Sequence, residues 1–367
     1  MINIGLTEMH GIAKECARNP PEGVRYQEIP SLGKPGLASI FTSPAQGVLD
    51  RFESDEVDII EAPLFPVLTK APWIYTPADF HSAVAFELIG LPTPRPLRSA
   101  FIRHLFLRNN FKRLVLKSQA GYQTIKDYPL LSDERILEKT EVVYPAIGFV
   151  ADDKIIYPEH DVNIVFSGDF VRKGGMHVVD AFIDLQKKYP NIKLMLCTAP
   201  DLQTTNSDLR SEYLKKIHAN SSITLGYVDR KEILDRVLPE ASIFITPTYQ
   251  ETFGFAILEA MAYGIPVIAT DYFAIPEMIK HGENGYLINI RDHQFIQNLK
   301  GYAVDAVPEG FKKYMNREVF IYLDLLINDQ MKRRAIGNAA LQTARSKFSF
   351  EKRNLKMLRI YKSALGR

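Results

Sequence analysis

The chain has 367 residues, more than one ordinary hydrophobic core accommodates and enough for two domains. Its 46% hydrophobic and 24% charged residues exclude a disordered, fibrous or collagen-like protein. Lys and Arg total 45 against 43 Asp and Glu, and the resulting net charge of +2 gives no case for binding nucleic acid.

The N-terminus, Met1-Ile2-Asn3-Ile4-Gly5-Leu6, predicts a strand over Ile2–Leu6, and with no charged leader or long apolar run behind it no signal peptide is expected. Val24–Ile29, Val57–Glu61, Trp73–Thr76 and Leu114–Lys117 are further strand candidates, and the helical stretches between them are short or interrupted, as at Pro92, Pro94 and Pro96. From Leu88 to Lys126 there is no acid, while Arg95, Arg98, Arg103, Arg108, Lys112, Arg113, Lys117 and Lys126 all fall within it. The tail from Lys332 to Arg367 sets 11 Lys or Arg against a single acid, Glu351. Two such basic stretches in a nearly neutral chain point to an anionic surface or an anionic substrate. Within the first, Leu97–Arg108 interleaves Phe101, Ile102, Leu105, Phe106 and Leu107 with cations. A helix there is expected to press on an anionic membrane surface, with a core helix as the alternative.

Tyr157-Pro158-Glu159-His160 reads as a linker, and beyond it strands and helices alternate regularly. Strands are predicted at Val162–Ser167, Ile192–Cys197, Ile223–Leu225, Ala241–Thr246 and Pro266–Thr270, with helices at Met176–Tyr189, Asp208–Ala219, Arg230–Leu238 and Ala256–Tyr263. Strands apolar on both faces and separated by helices imply parallel sheets covered on both sides. The expected architecture is α/β, with two doubly wound parallel-sheet domains facing a cleft. No stretch is long enough and apolar enough to span a membrane. Cys16 and Cys197 build neither a disulfide framework nor a cysteine zinc site, and a cytoplasmic protein is expected.

The chemistry is first bounded by what is missing. There is no G-x-G-x-x-G after a strand, no P-loop, no H-E-x-x-H and no G-x-S-x-G. The 8 histidines are scattered singly, and no Asp-x-Asp pair offers a divalent-metal clamp. Two loops carry positive signals. Gly168-Asp169-Phe170-Val171-Arg172-Lys173-Gly174-Gly175 lies between a strand and a helix, where glycines, free helix amides and two cations suit a diphosphate. In Pro247–Gly264 a buried strand ends and a helix begins near Phe253–Phe255, so Glu251 falls before the helix start and Glu259 inside it. Carboxylates there accept hydrogen bonds from vicinal hydroxyls, as a nucleotide sugar requires.

Glu251 and Glu259, separated by seven residues within E-T-F-G-F-A-I-L-E-A-M-A-Y-G-I-P-V-I-A-T, strongly resemble the E-x7-E element of retaining glycosyltransferases of family 4, which have the GT-B fold. Gly168…Arg172-Lys173-Gly174-Gly175, Leu225-Gly226-Tyr227-Val228, Ile275-Pro276-Glu277 and Gly282–Tyr286 extend the resemblance over Val162–Ile290. It implies an acceptor-binding domain over 1–160, a donor-binding domain over 161–345, and a helix over 346–367 that crosses back to the first domain. It implies that Glu259 binds the donor ribose and that Glu251 lies near the donor sugar. Thr252, Phe253, Gly254 and Phe255 with Gly168 and Gly174 would place amides against sugar and diphosphate, Arg172 and Lys173 would neutralise the leaving group, and Gly226, Tyr227 and Val228 would line the base pocket. Asp169 stands where many relatives have Arg. In the first domain Asp79 or His81, in Thr76-Pro77-Ala78-Asp79-Phe80-His81, would orient the acceptor, and Thr7–Gly11, with His10 and Gly11, replaces a double-glycine loop.

The expected activity is therefore transfer of a hexose-type sugar, with retention and without metal or other cofactor. The donor would be a nucleotide sugar, UDP ahead of GDP, and the acceptor a glycan, lipid-linked or small molecule. The alternatives are a nucleotide-sugar 2-epimerase of the same fold and a non-catalytic nucleotide-sugar binder.

Overall fold

Short runs of β-branched and aromatic residues, apolar on both faces, set the architecture: each can be buried only in a sheet with helices on either side. The computed structural model describes residues 1–9, 11–33, 47–87, 93–157, 161–299, 304 and 306–367. These form two units, Met1–Ile147 with Phe348–Arg367, and Gly148–Lys347. His10, one of the expected acceptor-side residues, lies outside the described residues.

The first unit contains strands β1 (Ile2–Leu6), β2 (Val24–Glu28), β3 (Gly47–Val48), β4 (Ile59–Ala62), β5 (Trp73–Tyr75), β6 (Phe86–Glu87), β7 (Phe111–Leu116) and β8 (Thr140–Val142). Six of them make a parallel sheet in the order β2-β1-β4-β5-β7-β8, and β3 pairs with β6. One cluster joins Trp73, Tyr75 and Phe111 to Ile102, Leu105 and Phe106 of the helix Arg95–Leu107, with the Phe106 and Phe111 rings stacked at 4.3 Å. A second cluster joins Ile4, Ile59, Ile74 and Val115 to Met357, Ile360 and Tyr361 of the C-terminal helix Phe350–Ala364. Helix 95–107 spends its apolar side on the core: Ile102 and Phe106 are fully buried, and Phe101 and Leu107 pack against the same cluster. Leu97 is the large apolar residue it leaves open, at 58% exposure.

The second unit contains β9 (Asn163–Ser167), β10 (Lys193–Cys197), β11 (Ile223–Gly226), β12 (Ile243–Thr246), β13 (Val267–Thr270) and β14 (Tyr286–Ile288), ordered β11-β10-β9-β12-β13-β14 and wholly parallel. The chain first steps outward from β9 to β11 and then returns to place β12 on the other side of β9. The order thus reverses between β9 and β12, the place where open α/β sheets leave a crevice at the carboxyl ends of their strands.

Two features differ in detail from the sequence reading. The helix expected over Arg230–Leu238 is one α-turn, Arg230–Glu232, followed by a π-turn over Ile233–Val237. The strands β8 and β14 and the long helices Glu309–Asn328 and Gln330–Lys347 have no counterpart among the expected elements. Both strands are three residues long and give too short a pattern to separate from a loop. Residues 148–157 are tied to the second unit, where the Arg345 guanidinium bonds the Val150 carbonyl at 3.2 Å and also pairs with Asp152. Among the described residues no helix is long and apolar enough to cross a membrane.

Helix 330–347 packs on helix Phe255–Ala262 where two glycines meet: a Cβ on Gly337 would lie 2.1 Å from the Gly264 carbonyl oxygen. Gly337→Ala is therefore expected to force the helices apart and to destabilise the chain by about 1–3 kcal/mol in urea unfolding. Gly310→Ala, whose Cβ meets nothing within 4 Å, serves as the neutral comparison.

Candidate functional site

The reversal between β9 and β12 brings together the two loops that the sequence singled out. The loop after β9 starts at Gly168, with φ +120°, and ends at Gly174, with φ +77°. Gly174 starts the helix Gly175–Gln186, and Gly254, with φ +103°, starts the helix Phe255–Ala262; neither helix has a side-chain cap. Left-handed backbone favours glycine at both starts. At the first helix the loop itself uses the leading amides, Gly175 N donating to the Phe170 carbonyl at 2.7 Å and Gly174 N to the Val171 carbonyl at 3.0 Å, while each helix directs the positive end of its dipole to the carboxyl edge of the sheet.

Backbone contact locks the loops together. Tyr249 N donates to the Arg172 carbonyl at 3.0 Å, and a Cβ on Gly174 would lie 2.4 Å from the Pro247 carbonyl oxygen. Asp169 Oδ1 accepts from Arg172 N at 2.8 Å, so this acid turns the loop rather than facing outward as a replacement for a cation. Lys173 Nζ is consequently carried onto Glu251 Oε2, and it also donates to the Gln250 carbonyl at 3.4 Å. Glu251 Oε1 accepts from Thr252 N at 2.9 Å. The two charged side chains are 12% and 19% exposed, so this pair is partly desolvated but reachable.

Glu259 lies on the helix that Gly254 starts and is 7% exposed. Arg230, just after β11, donates from Nε to Glu259 Oε1 at 2.8 Å. From sequence alone Arg230 is only a helix start; its partner is 29 residues away, and the sheet order brings the two together. Near it, Gly226 ends β11 with open space where a side chain would be, and Tyr227 is 75% exposed while Val228 is half-buried. The Phe253 ring is fully buried and 5.3 Å from that of Phe255, so Phe253 anchors the helix start and offers a ligand only its backbone.

Behind the loops runs a buried polar chain that sequence reasoning missed, because His177 reads there as one more isolated histidine. Its Nε2 meets the Tyr249 hydroxyl and its Nδ1 meets Asn316 Oδ1. Asn316 Nδ2 in turn donates to Asp180 Oδ2 at 3.1 Å, and Asp180 also accepts from Tyr213 and Lys216, each at 2.8 Å. With Asn316 Oδ1 accepting, the imidazole carries a proton on Nδ1, and burial disfavours a second one on Nε2.

The remaining site residues belong to the first unit. Asp79 is buried and caps the turn Phe80–Ala83, its Oδ1 accepting from Ser82 N and Ser82 Oγ at 2.8 Å each. His81 is the open member of the pair: its side chain is 48% exposed, Nδ1 is joined to the Tyr128 hydroxyl at 2.8 Å, and Nε2 lies 3.7 Å from Asp127. Gly11 is exposed with φ +52° and begins the helix Ile12–Arg18. Several cations of the acid-free stretch have internal partners: Arg103 pairs with Asp133 at 2.6 Å, Arg95 stacks on Tyr128 at 4.2 Å, and Arg113 approaches Glu141 at 3.8 Å. Among the described residues no group of three or more His, Cys, Asp or Glu could hold a metal ion.

Residues 161–302 match the family model described as "Glycosyl transferases group 1". Over 169 residues the chain is 25% identical to N-acetyl-alpha-D-glucosaminyl L-malate synthase of Bacillus anthracis, covering 42% of each chain. Over 189 residues it is 27% identical to the capsular polysaccharide biosynthesis glycosyltransferase CapM of Staphylococcus aureus, covering 51% of this chain and 42% of that one. The matched segment thus spans less than half the length of these curated relatives. Anabaena HepE, solved in complex with UDP-glucose, superposes over 98% of this chain and 91% of its own with a TM-score of 0.61 at 16% identity. The fold of the chain is accordingly that of the GT-B glycosyltransferases, with the family match confined to the unit that holds the two loops.

The buried imidazole yields a pH prediction. Burial, the largest cause, lowers the His177 pKa from 6.5 to about 4. The neutral form is favoured in the fold, so its stabilising contribution is complete above pH 6.5 and is lost as pH falls toward 4. Between pH 7 and pH 4 the wild type is expected to lose about 2–4 kcal/mol more stability than His177→Gln, read from urea unfolding at each pH.

Proposed function

We propose that the chain is a retaining glycosyltransferase that moves a hexose-type sugar from a nucleoside diphosphate, UDP ahead of GDP, to an acceptor hydroxyl without a divalent metal. The observation that carries this reading is the convergence, at the β9–β12 reversal, of two helix starts without side-chain caps and the Lys173–Glu251 pair. Leaving-group departure builds negative charge on the diphosphate and positive charge at the anomeric carbon. Two dipole-positive helix ends with Arg172 and Lys173 stabilise the first, and Glu251 stands where it can balance the second. When the diphosphate arrives, the Lys173 ammonium exchanges part of its contact with Glu251 for phosphate oxygens.

Glu259 takes the ribose hydroxyls in this reading, Gly226, Tyr227 and Val228 border the base, and Gly168, Gly174, Thr252, Gly254 and Phe255 bring the backbone close to diphosphate and sugar. A front-side displacement, in which the departing phosphate oxygen takes the acceptor proton, needs no carboxylate nucleophile. Of Asp79 and His81, the exposed His81 is the one placed to meet an acceptor, since the Asp79 carboxylate is engaged by its own turn. An acidic acceptor suits the acid-free stretch of the first unit, and the name of one relative, N-acetyl-alpha-D-glucosaminyl L-malate synthase, contains an acid, L-malate. The lipid-linked form of this acceptor rests on charge alone, because helix 95–107 directs most of its apolar residues to the core.

Calorimetry with UDP and GDP tests the donor assignment. Glu259→Ala is expected to weaken nucleoside diphosphate binding roughly tenfold to a hundredfold, the value of a charge-assisted hydrogen bond of about 1.5–3 kcal/mol. Unchanged binding in a folded variant would remove Glu259 from the donor site. Turnover of the sugar nucleotide is expected to require an acceptor and to continue in excess EDTA; loss restored by manganese would overturn the metal-independent reading, and conversion without acceptor would favour the epimerase.

A further inference from the structure

The carboxyl edge of the first sheet holds a cation that the proposed chemistry does not use. Lys117 directly follows β7, beside the ends of β5 and β4, in register with them through Tyr75↔Leu114 and Ala62↔Tyr75. The segment after it is pressed against the Thr76–Asp79 loop, since a Cβ on Gly121 would lie 2.2 Å from the Ala78 carbonyl oxygen. Lys117 is half-buried and lies within electrostatic reach of Cys16, Glu61, Asp79 and Glu8.

The acids around it are bonded to other groups. Glu61 Oε1 accepts from the Thr76 hydroxyl at 3.2 Å, and Glu61 Oε2 accepts from the Tyr361 hydroxyl at 2.5 Å. Tyr361 is joined in turn to the Tyr26 hydroxyl at 2.8 Å. Asp79 is held by Ser82. Among the described residues Lys117 Nζ makes neither a hydrogen bond nor an ion pair. Burial disfavours its charge, and the neighbouring acids only partly offset this, so its pKa falls below the usual lysine range. Cys16 does not explain it either, because burial raises that thiol and keeps it protonated.

A side chain with this environment weakens the fold, and in a structural role an apolar residue would serve better. Its position at the carboxyl edge of a parallel sheet is where α/β folds receive ligands. An entering oxyanion would supply the partner that the protein withholds, in surroundings where one charge-assisted contact is stronger than in water.

We propose that Lys117 anchors an acidic group, phosphate or carboxylate, on the molecule that accepts the sugar. This rests on the transferase reading for the word acceptor, but the anion site itself does not. It sits in the first unit, apart in sequence from Arg172 and Lys173, so it can be probed without a nucleotide.

The test uses the full chain carrying Lys173→Met, which removes the competing cation of the donor loop, and compares it with the Lys117→Met, Lys173→Met double variant. Calorimetric titration uses inorganic phosphate, acetate, and phosphatidylcholine vesicles with and without phosphatidic acid. At least one of the anions is expected to bind the single variant and to bind the double variant at least tenfold more weakly. Which one does so identifies a phosphate, a carboxylate or a lipid headgroup as the source. No binding to the single variant, or equal binding to both, overturns the proposal. In the wild-type background Lys117→Met is also expected to raise the midpoint of thermal unfolding. A lowered midpoint would mean that Lys117 supports the fold, and would equally overturn it. Because none of these titrations includes a nucleotide, a failure here is separate from a failure of the Glu259 test.

Discussion

The close passage of Gly174 beneath the Pro247 carbonyl is the constraint on which the donor-side arrangement depends. Only a residue without a Cβ fits at that distance, and the same residue must adopt positive φ to begin a helix. Once this contact and the Tyr249 N to Arg172 carbonyl bond are made, the loops after β9 and β12 have little freedom left. Lys173 then has to project toward Glu251, and the helix starts at 175 and 255 must lie on the same edge of the sheet. The geometry of the charged groups follows from backbone sterics, and not from attraction between the charges.

This order of causes matters because the charged pairs are weak sources of stability. Lys173 with Glu251, and Arg230 with Glu259, are partly withdrawn from water, so their mutual attraction mostly offsets what desolvation costs. Their value lies in what they permit. Without ligand, each carboxylate is balanced; with a diphosphate and a ribose present, the same cations and carboxylates can exchange partners with little change in total charge compensation. The chain from Tyr249 through the neutral His177 and Asn316 to Asp180 complements this by supporting the Tyr249 ring from behind without adding another charge near the loops.

The second unit was legible in the sequence because its strands are apolar on both faces and its helices carry clear stops, as at Gly264. The spacing of Glu251 and Glu259 marked the helix start for a related reason: both residues lie in one continuous segment. Their partners did not show, since Lys173 is 78 residues from Glu251 and Arg230 is 29 residues from Glu259, with a strand between them. Nor did the roles of Asp79 and Asp169, which a sequence presents as free carboxylates and the fold uses to accept backbone amides. Helix 95–107 exposes a different limit. Its apolar residues exceed one narrow stripe, which pointed to an interface, but the core cluster of the first unit wraps far enough around it to receive Phe101 and Leu107 as well as Ile102 and Phe106.

The two units thus place polar chemistry at the carboxyl edges of their sheets by different means. In the second, dipoles and charge pairs are aligned by glycines at the helix starts. In the first, the carboxylate of Glu61 is held by neutral hydroxyls, one from Thr76 after β5 and one from Tyr361 of the C-terminal helix. That helix covers Ile74 and Val115 with its apolar face while its tyrosine reaches the edge of the sheet, so the last residues of the chain both complete a core and hydrogen-bond a buried acid. Satisfying Glu61 with hydroxyls leaves the nearby ammonium of Lys117 without a bonded partner and only partly compensated. An unpaired charge is tolerable at that edge because it is also the edge at which an α/β sheet meets its ligands.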